Sequence, residues 1–350
     1  MFNPKYKITD QLLANITRIN NLIRDLNDRR FPKIVLVEFE KTAREVSTFA
    51  STSIEGNPLP LTEVKKVLKS RPANIRDSEK EVINYNDALK KLNLLLESNQ
   101  LELSPALILD IHEHVIDGLL PPHETGKLRQ HPVVVNDPRT GKVVYLPPDV
   151  EKVNELIEDL VLYVKDSSEV VDPLILAGIF HKQMVVIHPF TDGNGRTTRL
   201  ATKVLLAKMG LNTFNLFSFE NYYNQNVTKY FQVVGEYGDY NELAGSIEFT
   251  NWLEYFTGGL IDELLRVNKL LPNIGSTPDT KLEAHHVKML TYIKENGFIT
   301  DRNYAELTDR AKATRTLDFQ KLLDLGLVER KGQGRSTYYS LKDSLSSSDD

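Results

Sequence analysis

Residues 177–200 read AGIFHKQMVVIHPFTDGNGRTTRL. This stretch predicts an apolar helix that ends at His188-Pro189 and a second helix that begins after Gly195. The turn between them contains Gly193 and Gly195, which can adopt backbone angles that are closed to other residues. Successive N–H groups of such a turn can converge on phosphate oxygens at the positive end of the following helix. The segment therefore predicts a phosphate-binding turn between two helices.

Charged side chains in the same segment supply the other parts that nucleotide chemistry requires. Arg196 and Arg199 are three residues apart, so both lie on one face of the second helix and can meet polyphosphate. Asp192 places a hard carboxylate at the rim of the turn, which suits Mg2+. His188 lies directly before the turn, in the position that a general base for the transfer would occupy. Each residue alone is more often structural, and it is their density that predicts a transfer site.

The run from His188 to Arg199 matches the Fic family signature HPFx(D/E)GNGRxxR at every specified position. The chain thus resembles Fic proteins over roughly residues 40–240, which implies a mainly α fold with a helical core and a β-hairpin flap. The resemblance makes His188 the general base and Asp192 the Mg2+ ligand. The residues that it implies for ATP binding in the motif are Gly193, Asn194, Gly195, Arg196 and Arg199.

The Gly-Asn-Gly-Arg run within the motif bears on the reaction. Doc-type relatives, which transfer a terminal phosphate, break this run, whereas the present sequence keeps it. The resemblance therefore implies transfer of AMP from Mg-ATP to a Ser, Thr or Tyr hydroxyl of a target protein. Another nucleotide or a phosphocholine donor stays open. The target, self-AMPylation and a homodimer also stay open.

The segment from residue 132 to 146 predicts a β-hairpin, because two short β-prone runs flank a turn-rich centre. Fic proteins carry their flap at this place, and the flap pairs with an extended target segment by strand addition. The resemblance assigns the pairing edge to Val133, Val134 and Val135. An ordinary surface hairpin is the alternative.

Downstream of the motif, residues 218–231 resemble the helix that lines the adenine and ribose side of Fic pockets. Asn226 and Tyr230 are the nucleotide-binding candidates in it. Relatives often carry Arg where Val227 stands and Tyr where Phe231 stands, so the match is incomplete. An aromatic helix of the core is the competing interpretation.

Residues 51–56 read STSIEG and fit the inhibitory pattern (S/T)xxxE(G/N) of regulated Fic proteins, with Ser51, Glu55 and Gly56 at the specified positions. In that class the glutamate pairs with the second motif arginine, here Arg199, and keeps the γ phosphate from its productive position. The resemblance implies an enzyme that is nearly silent while Glu55 stays in place. Ser and Glu four residues apart occur in many helices, so the pattern gains its value from the motif in the same chain.

Apolar residues at three- and four-residue steps predict helices along most of the chain. They lie near residues 10–30, 40–54, 79–97, 104–118, 149–165, 171–187, 196–209, 219–234 and 246–271. The expected division is an N-terminal helical region with the inhibitory helix at 1–100, a Fic catalytic domain at 101–271, a linker at 272–281, a winged helix-turn-helix domain at 282–341 and a disordered tail at 342–350.

The predicted winged helix is locally basic, with seven Lys or Arg against three Asp or Glu from Arg310 to Arg335. A basic third helix and wing would suit DNA phosphates, whereas protein docking or dimerisation is the alternative. A second function follows from this, a DNA-binding regulator that uses an inhibited Fic domain as a nucleotide sensor. The basic residues concerned are Lys312, Arg315, Lys321, Lys331 and Arg335.

Composition excludes several other classes. The net charge of −5 provides no global attraction to nucleic acid or anionic lipid, and the absence of cysteine excludes thiol catalysis and disulfides. No apolar run is long enough to span a bilayer, so a cytoplasmic protein without membrane contact is expected. His112 and His114 point to different sides of a helix and predict no metal site, and His285-His286 are expected at the surface.

Overall fold

The computed structural model describes residues 2–29, 33–71, 74–97, 101–137, 140–208, 210, 215–271 and 282–342, without the side chains of residues 33–38 and 335. The expected linker at 272–281 and all but the first residue of the expected tail lie outside the described residues. The described chain is mainly α, as the sequence predicts.

Five helices precede a small hairpin. They are α1 (Asp10–Asn27), α2 (Lys33–Ile54), α3 (Leu61–Ser70), α4 (Asp77–Glu97) and α5 (Pro105–Ile116), followed by β1 (Val135–Asn136) and β2 (Val143–Leu146). Helix α3 was not predicted from the sequence. It packs Val64 and Val67 against the start of α4.

The motif region follows the hairpin. Its elements are α6 (Val150–Asp166), α7 (Pro173–Ile187), α8 (Asn194–Lys208), α9 (Glu220–Gln225), α10 (Val227–Val234), β3 (Gly238–Asp239), α11 (Tyr240–Leu243) and α12 (Thr250–Leu270). The single helix predicted at 219–234 is wrong, because Asn226 leaves the helical conformation and caps α10.

Helix α7 lies at the centre of the main core. Its residues are mostly apolar, and almost all of them are buried, including the polar His181, Lys182 and Gln183. Helices α4, α5, α6 and α8 contribute the other members of this core, which include Tyr85, Ile108, Leu160 and Val204. The motif turn therefore starts from a helix that is buried on almost every side.

The hairpin strands form a three-stranded sheet with β3. Strand β1 pairs with β2 antiparallel, with Val135 opposite Tyr145, and β2 pairs with β3 in parallel. The predicted edge is longer than the paired strand, because Val133 and Val134 precede β1. Strand β3 was not predicted, since two residues carry no periodicity.

The C-terminal region contains three helices and two strands. These are α13 (Ala284–Asn296), α14 (Asp301–Leu307), α15 (Lys312–Asp324), β4 (Val328–Lys331) and β5 (Tyr338–Leu341). Strands β4 and β5 are antiparallel neighbours, and the core beneath them includes Met289, Tyr304 and Phe319. This order agrees with the expected one, and its assignment as a winged helix stays a prediction.

The chain divides into two compact units that differ from the expected domains. One unit comprises Met1–Ile23 and Ala43–Leu264, and the other Arg24–Thr42 and Leu265–Asp350. Residues 24–42 thus group with the C-terminal part, where Phe39 packs against the second core. None of the described helices is long and apolar enough to cross a membrane.

Candidate active site

His188 ends α7 in a left-handed backbone conformation, with φ 49°, and its N–H donates to the Met184 carbonyl at 3.1 Å. A non-glycine residue in this region is uncommon and needs support from its surroundings. Arg129 gives that support, because its Nε donates to the His188 carbonyl at 2.9 Å and its Nη2 donates to the Pro148 carbonyl at 2.5 Å. The catalytic candidate is therefore held through its backbone by a buried arginine.

Burial sets the protonation of His188. It lowers the pKa of the imidazole to about 4, while the Val185 carbonyl and the negative charge of Glu55 act in the opposite direction. The imidazole is thus neutral at physiological pH. A neutral ring can accept a proton, which is the property that a general base requires.

The turn after His188 is closed by the side chain of Asn194. Its Oδ1 accepts from the Phe190 N–H at 2.9 Å, and its Nδ2 donates to the Phe190 carbonyl at 2.8 Å. Phe190 is fully buried in the main core. The Asn194 side chain therefore shapes the loop, and only its backbone N–H, at the start of α8, is placed to serve as an anion donor.

Arg199 is fully buried and contacts the segment that the sequence indicates as inhibitory. Its Nη2 donates to Glu55 Oε1 at 2.7 Å and to the Ser51 carbonyl at 2.8 Å, and its Nε donates to Ser51 Oγ at 2.8 Å. The remaining Nη1 has no hydrogen-bond partner among the described residues. The expected Glu55–Arg199 ion pair is present, and Ser51 adds two contacts to it.

The Glu55 carboxylate also lies directly against Gly195. A Cβ atom at Gly195 would overlap Glu55 Oε1. The resemblance to Fic proteins predicts that phosphate oxygens of ATP bind next to this glycine. The Glu55 carboxylate therefore lies where an anionic ligand is predicted.

Arg196 pairs with a second carboxylate that sequence reasoning missed. Its Nη1 lies 2.7 Å from Glu81 Oε1, and its Nη2 lies 3.0 Å from Asp192 Oδ1. Burial raises the pKa of Glu81, and the charge of Arg196 opposes that effect. A glutamate on an amphipathic helix more than 100 residues before the motif carries no local signal of this contact. The Arg196 Nε has no hydrogen-bond partner among the described residues.

Asp192 fits the predicted role of a metal ligand. Its side chain is 57% exposed, and Oδ1 accepts from the Gly193 N–H and from Arg196. Oδ2 makes no hydrogen bond to a described residue and lies at the rim of the turn. A free carboxylate oxygen beside a phosphate site is the kind of donor that Mg2+ takes.

The two candidates for the nucleoside side differ in their surroundings. Asn226 is exposed, and its side chain accepts from the Lys229 N–H at 3.0 Å as the cap of α10. Tyr230 is buried, stacks on Tyr223 and contacts His181 Nε2 at 3.0 Å through its hydroxyl. The structure thus accounts for both by capping and packing, and nucleotide binding by them stays a prediction.

Some of the basic side chains that are predicted to face DNA form ion pairs with acidic residues of the same unit. Arg315 forms two bonds with Asp301, at 2.8 and 3.0 Å, and Lys331 lies 2.6 Å from Glu329. Lys321 also has a partner, Arg335 lies outside the described side chains, and Lys312 is exposed. Glu329 is already among the three acidic residues of that stretch, whereas Asp301 lies outside it and reduces the local positive excess further.

The same unit brings His285, His286 and Asp318 together. His286 is buried, so the expectation of a surface position for it is wrong. Its Nδ1 accepts from the Glu283 N–H, which leaves the proton on Nε2, and both Asp318 oxygens accept from Arg310. Nε2 of His285 and Nε2 of His286 lie 3.2 and 3.6 Å from Asp318 Oδ1, and neither has a hydrogen-bond partner among the described residues.

Part of the chain matches a known protein family. The profile of the Fic/DOC family matches residues 102–206, which span the hairpin and the motif. Residues 102–206 form a Fic domain. This domain contains His188 and Arg199, whereas Glu55 and Glu81 precede it.

Proteins with named activities resemble the chain around the Fic domain. "Protein adenylyltransferase fic-1" of Caenorhabditis briggsae is 36% identical over 167 residues, which are 46% of this chain and 31% of that protein. "Protein adenylyltransferase Fic" of Nematostella vectensis is 32% identical over 165 residues, which are 46% of this chain and 37% of that protein. The chain thus spans about a third of the length of these relatives.

Solved structures share the fold. A Fic family protein from Desulfovibrio desulfuricans has a TM-score of 0.66 at 20% identity and covers 98% of this chain and 99% of its own. A fragment of Fic-1 from C. elegans has a TM-score of 0.57 at 24% identity, with 74% of this chain and 72% of its own covered. These likenesses agree with the helical Fic architecture.

Proposed function

We propose that this protein is a protein adenylyltransferase that transfers AMP from ATP to a hydroxyl of a target protein, and that Glu55 restrains it. The observation that carries the proposal is the Glu55 carboxylate, which lies on Gly195 and pairs with Arg199 at 2.7 Å. A buried arginine and a helix start around one carboxylate form a site that is suited to anions. The names of the related proteins supply the reaction type.

The proposed reaction is a displacement at the α phosphorus. The target hydroxyl oxygen forms a bond to this phosphorus, the bond to the bridging oxygen of the β phosphate breaks, and pyrophosphate leaves. Neutral His188 takes the hydroxyl proton. Backbone N–H groups at the start of α8 and the guanidinium of Arg196 stabilise the phosphate charge.

Asp192 is the residue that would hold Mg2+. The ion, when bound, neutralises charge on the phosphates of ATP. The chain contributes the orientation of the carboxylate, because Oδ1 is fixed by Gly193 and Arg196 and leaves Oδ2 for the metal.

We also propose strand addition as the way in which the target binds. Among the described residues β1 pairs with β2 and with no other strand, so its other edge can accept an extended segment. Val134, which precedes β1, is 47% exposed and offers an apolar contact to such a segment. The modified hydroxyl would then approach His188 from the flap.

The test uses ATP labelled at the α phosphate. We expect Glu55→Gly to increase label on protein at least about tenfold, since loss of a restraint of about 1.4 kcal/mol gives that factor. Glu55→Gly/His188→Ala should carry no label. Glu63→Gly, which removes an exposed carboxylate from α3, is the matched control and should behave as wild type.

The alternative sensor function gives a different result. A DNA-binding regulator with a permanently inhibited Fic domain would show no label on any variant, with cell lysate present as a source of targets. The ion pairs of Arg315 and Lys331 give that alternative no structural support. Equal labelling of wild type and Glu55→Gly would refute the restraint while keeping the transferase.

A further inference from the structure

His112 on α5 is fully buried beside the motif turn and bonds two separate segments. Its Nδ1 accepts from the Gly126 N–H at 3.1 Å, and its Nε2 lies 3.0 Å from the Asp192 carbonyl. A backbone N–H can only donate, so Nδ1 carries the lone pair and the proton is on Nε2. Nε2–H therefore donates to Asp192, and the neutral tautomer of His112 is defined by its partners.

The ring of His112 also supports the turn by packing. It stacks on Phe190 with a centroid distance of 3.8 Å and an interplanar angle of 3°. A Cβ atom added to Gly193 would lie 3.4 Å from His112 Cδ2, so the imidazole closely underlies that residue. Three residues of one turn thus contact a single side chain from another helix.

We propose that His112 is a positioning residue, which fixes Asp192 relative to the segment that leads into the hairpin. The inference rests on the proposed function, in which Asp192 is the residue that would hold Mg2+. Asp192 is tied at its carbonyl by His112 and at Oδ1 by Arg196, so the direction of Oδ2 is determined. Without the imidazole donor, the Asp192 carbonyl loses its partner and the turn can rotate.

Three substitutions separate the contacts of His112. His112→Gln keeps a donor near the position of Nε2, His112→Asn keeps an acceptor near that of Nδ1, and His112→Phe keeps only the stacked ring. In the Glu55→Gly background, we expect Asn and Phe to raise the Mg2+ concentration for half-maximal AMP transfer about 10- to 100-fold. For His112→Gln, this Mg2+ concentration should stay within about threefold of that of the Glu55→Gly parent. The control His114→Phe, on the same helix, should have the same Mg2+ dependence as the parent.

A role in packing alone predicts another order. Phe preserves the ring best, so a packing residue would make Phe the mildest substitution and Gln a harsher one. That order, or an unchanged Mg2+ dependence in all three variants, would overturn the proposal.

Two further measurements test the contacts of His112 without depending on AMP transfer. Histidine side-chain NMR of the parent should show the Nε2–H tautomer for His112. Amide hydrogen exchange at Gly126 should quicken in the Phe and Gln variants and stay slow in Asn. If Glu55→Gly transfers no AMP, the proposed function fails; slow Gly126 exchange in all three variants would then reject the positioning role separately.

Discussion

At the scale of single residues, the central feature of the site is the set of hydrogen-bond acceptors around the buried guanidinium of Arg199. Burial alone would lower the pKa of this guanidinium, but the negative charge of Glu55 and the nearby Tyr230 and Tyr85 raise it. Arg199 is therefore charged, and a buried charge requires partners. Ser51 and Glu55 provide them in this structure, and we propose that phosphate oxygens provide them in the active enzyme.

Ser51→Ala tests this competition. The substitution removes the hydroxyl that accepts from Arg199 Nε, while the Ser51 carbonyl and Glu55 still hold Nη2. We expect AMP transfer to lie between wild type and Glu55→Gly, because one of three contacts is lost. Ser53→Ala on the same helix is the control. A rate for Ser51→Ala above that of Glu55→Gly would contradict the ranking of these contacts.

At the scale of elements, the end of α2 is fastened to α4. Gly56 adopts φ 93°, which allows the chain to turn directly after Glu55. Asn57 then donates to the Ser78 carbonyl at 2.8 Å and to Glu81 Oε2 at 2.6 Å. The same Glu81 pairs with Arg196, so the two motif arginines are linked through one turn.

Asn57→Ala should loosen this attachment. It removes both bonds to α4 and the acceptor for the Leu59 N–H, which we expect to lower the free energy of unfolding by about 1–3 kcal/mol. AMP transfer should rise above wild type, because Glu55 is no longer held by the turn. Urea unfolding and the labelling assay measure the two effects, with the exposed Asn154→Ala as control. Lower stability with unchanged AMP transfer would show that the Asn57 turn does not hold Glu55 in its inhibitory position.

At the scale of the whole molecule, several histidines are buried in a neutral form. Burial lowers the pKa of His112 and of His188 to about 4 and that of His181 well below its ordinary value. The unfolded chain binds protons on these groups near pH 6.5, whereas the folded chain does not. Protonation therefore favours unfolding, and stability falls as pH decreases from about 6.5 towards 4.

The acid sensitivity has a predicted size. At pH 5, an imidazole with a folded pKa of about 4 and an unfolded pKa of about 6.5 costs about 2 kcal/mol relative to pH 7. Urea unfolding at the two pH values should show a smaller loss in His112→Gln than in wild type. His123→Asn removes a histidine with a 76% exposed side chain and should leave the loss unchanged. Equal losses in all three proteins would argue against buried histidines as the cause.

Much of the architecture could be predicted because it depends on local periodicity. The long helices and the turn at His188 follow from apolar spacing and from glycine placement. Helix α3 and strand β3 were missed because they are short and depend on their partners. The packing of residues 24–42 with the C-terminal part, through Phe39, was not predicted because it joins distant parts of the chain.

The chemistry predicted for the motif depends on local sequence alone, because His188, Asp192 and the two arginines lie on consecutive elements whose local geometry places them together. Tertiary structure alone decided that Glu81 meets Arg196 and that His112 bonds both Gly126 and Asp192. Glu81 and Arg196 lie far apart in the chain, as do His112 and Asp192. Their partners are selected by the packing of α4 and α5 against α8, and no local pattern encodes that packing.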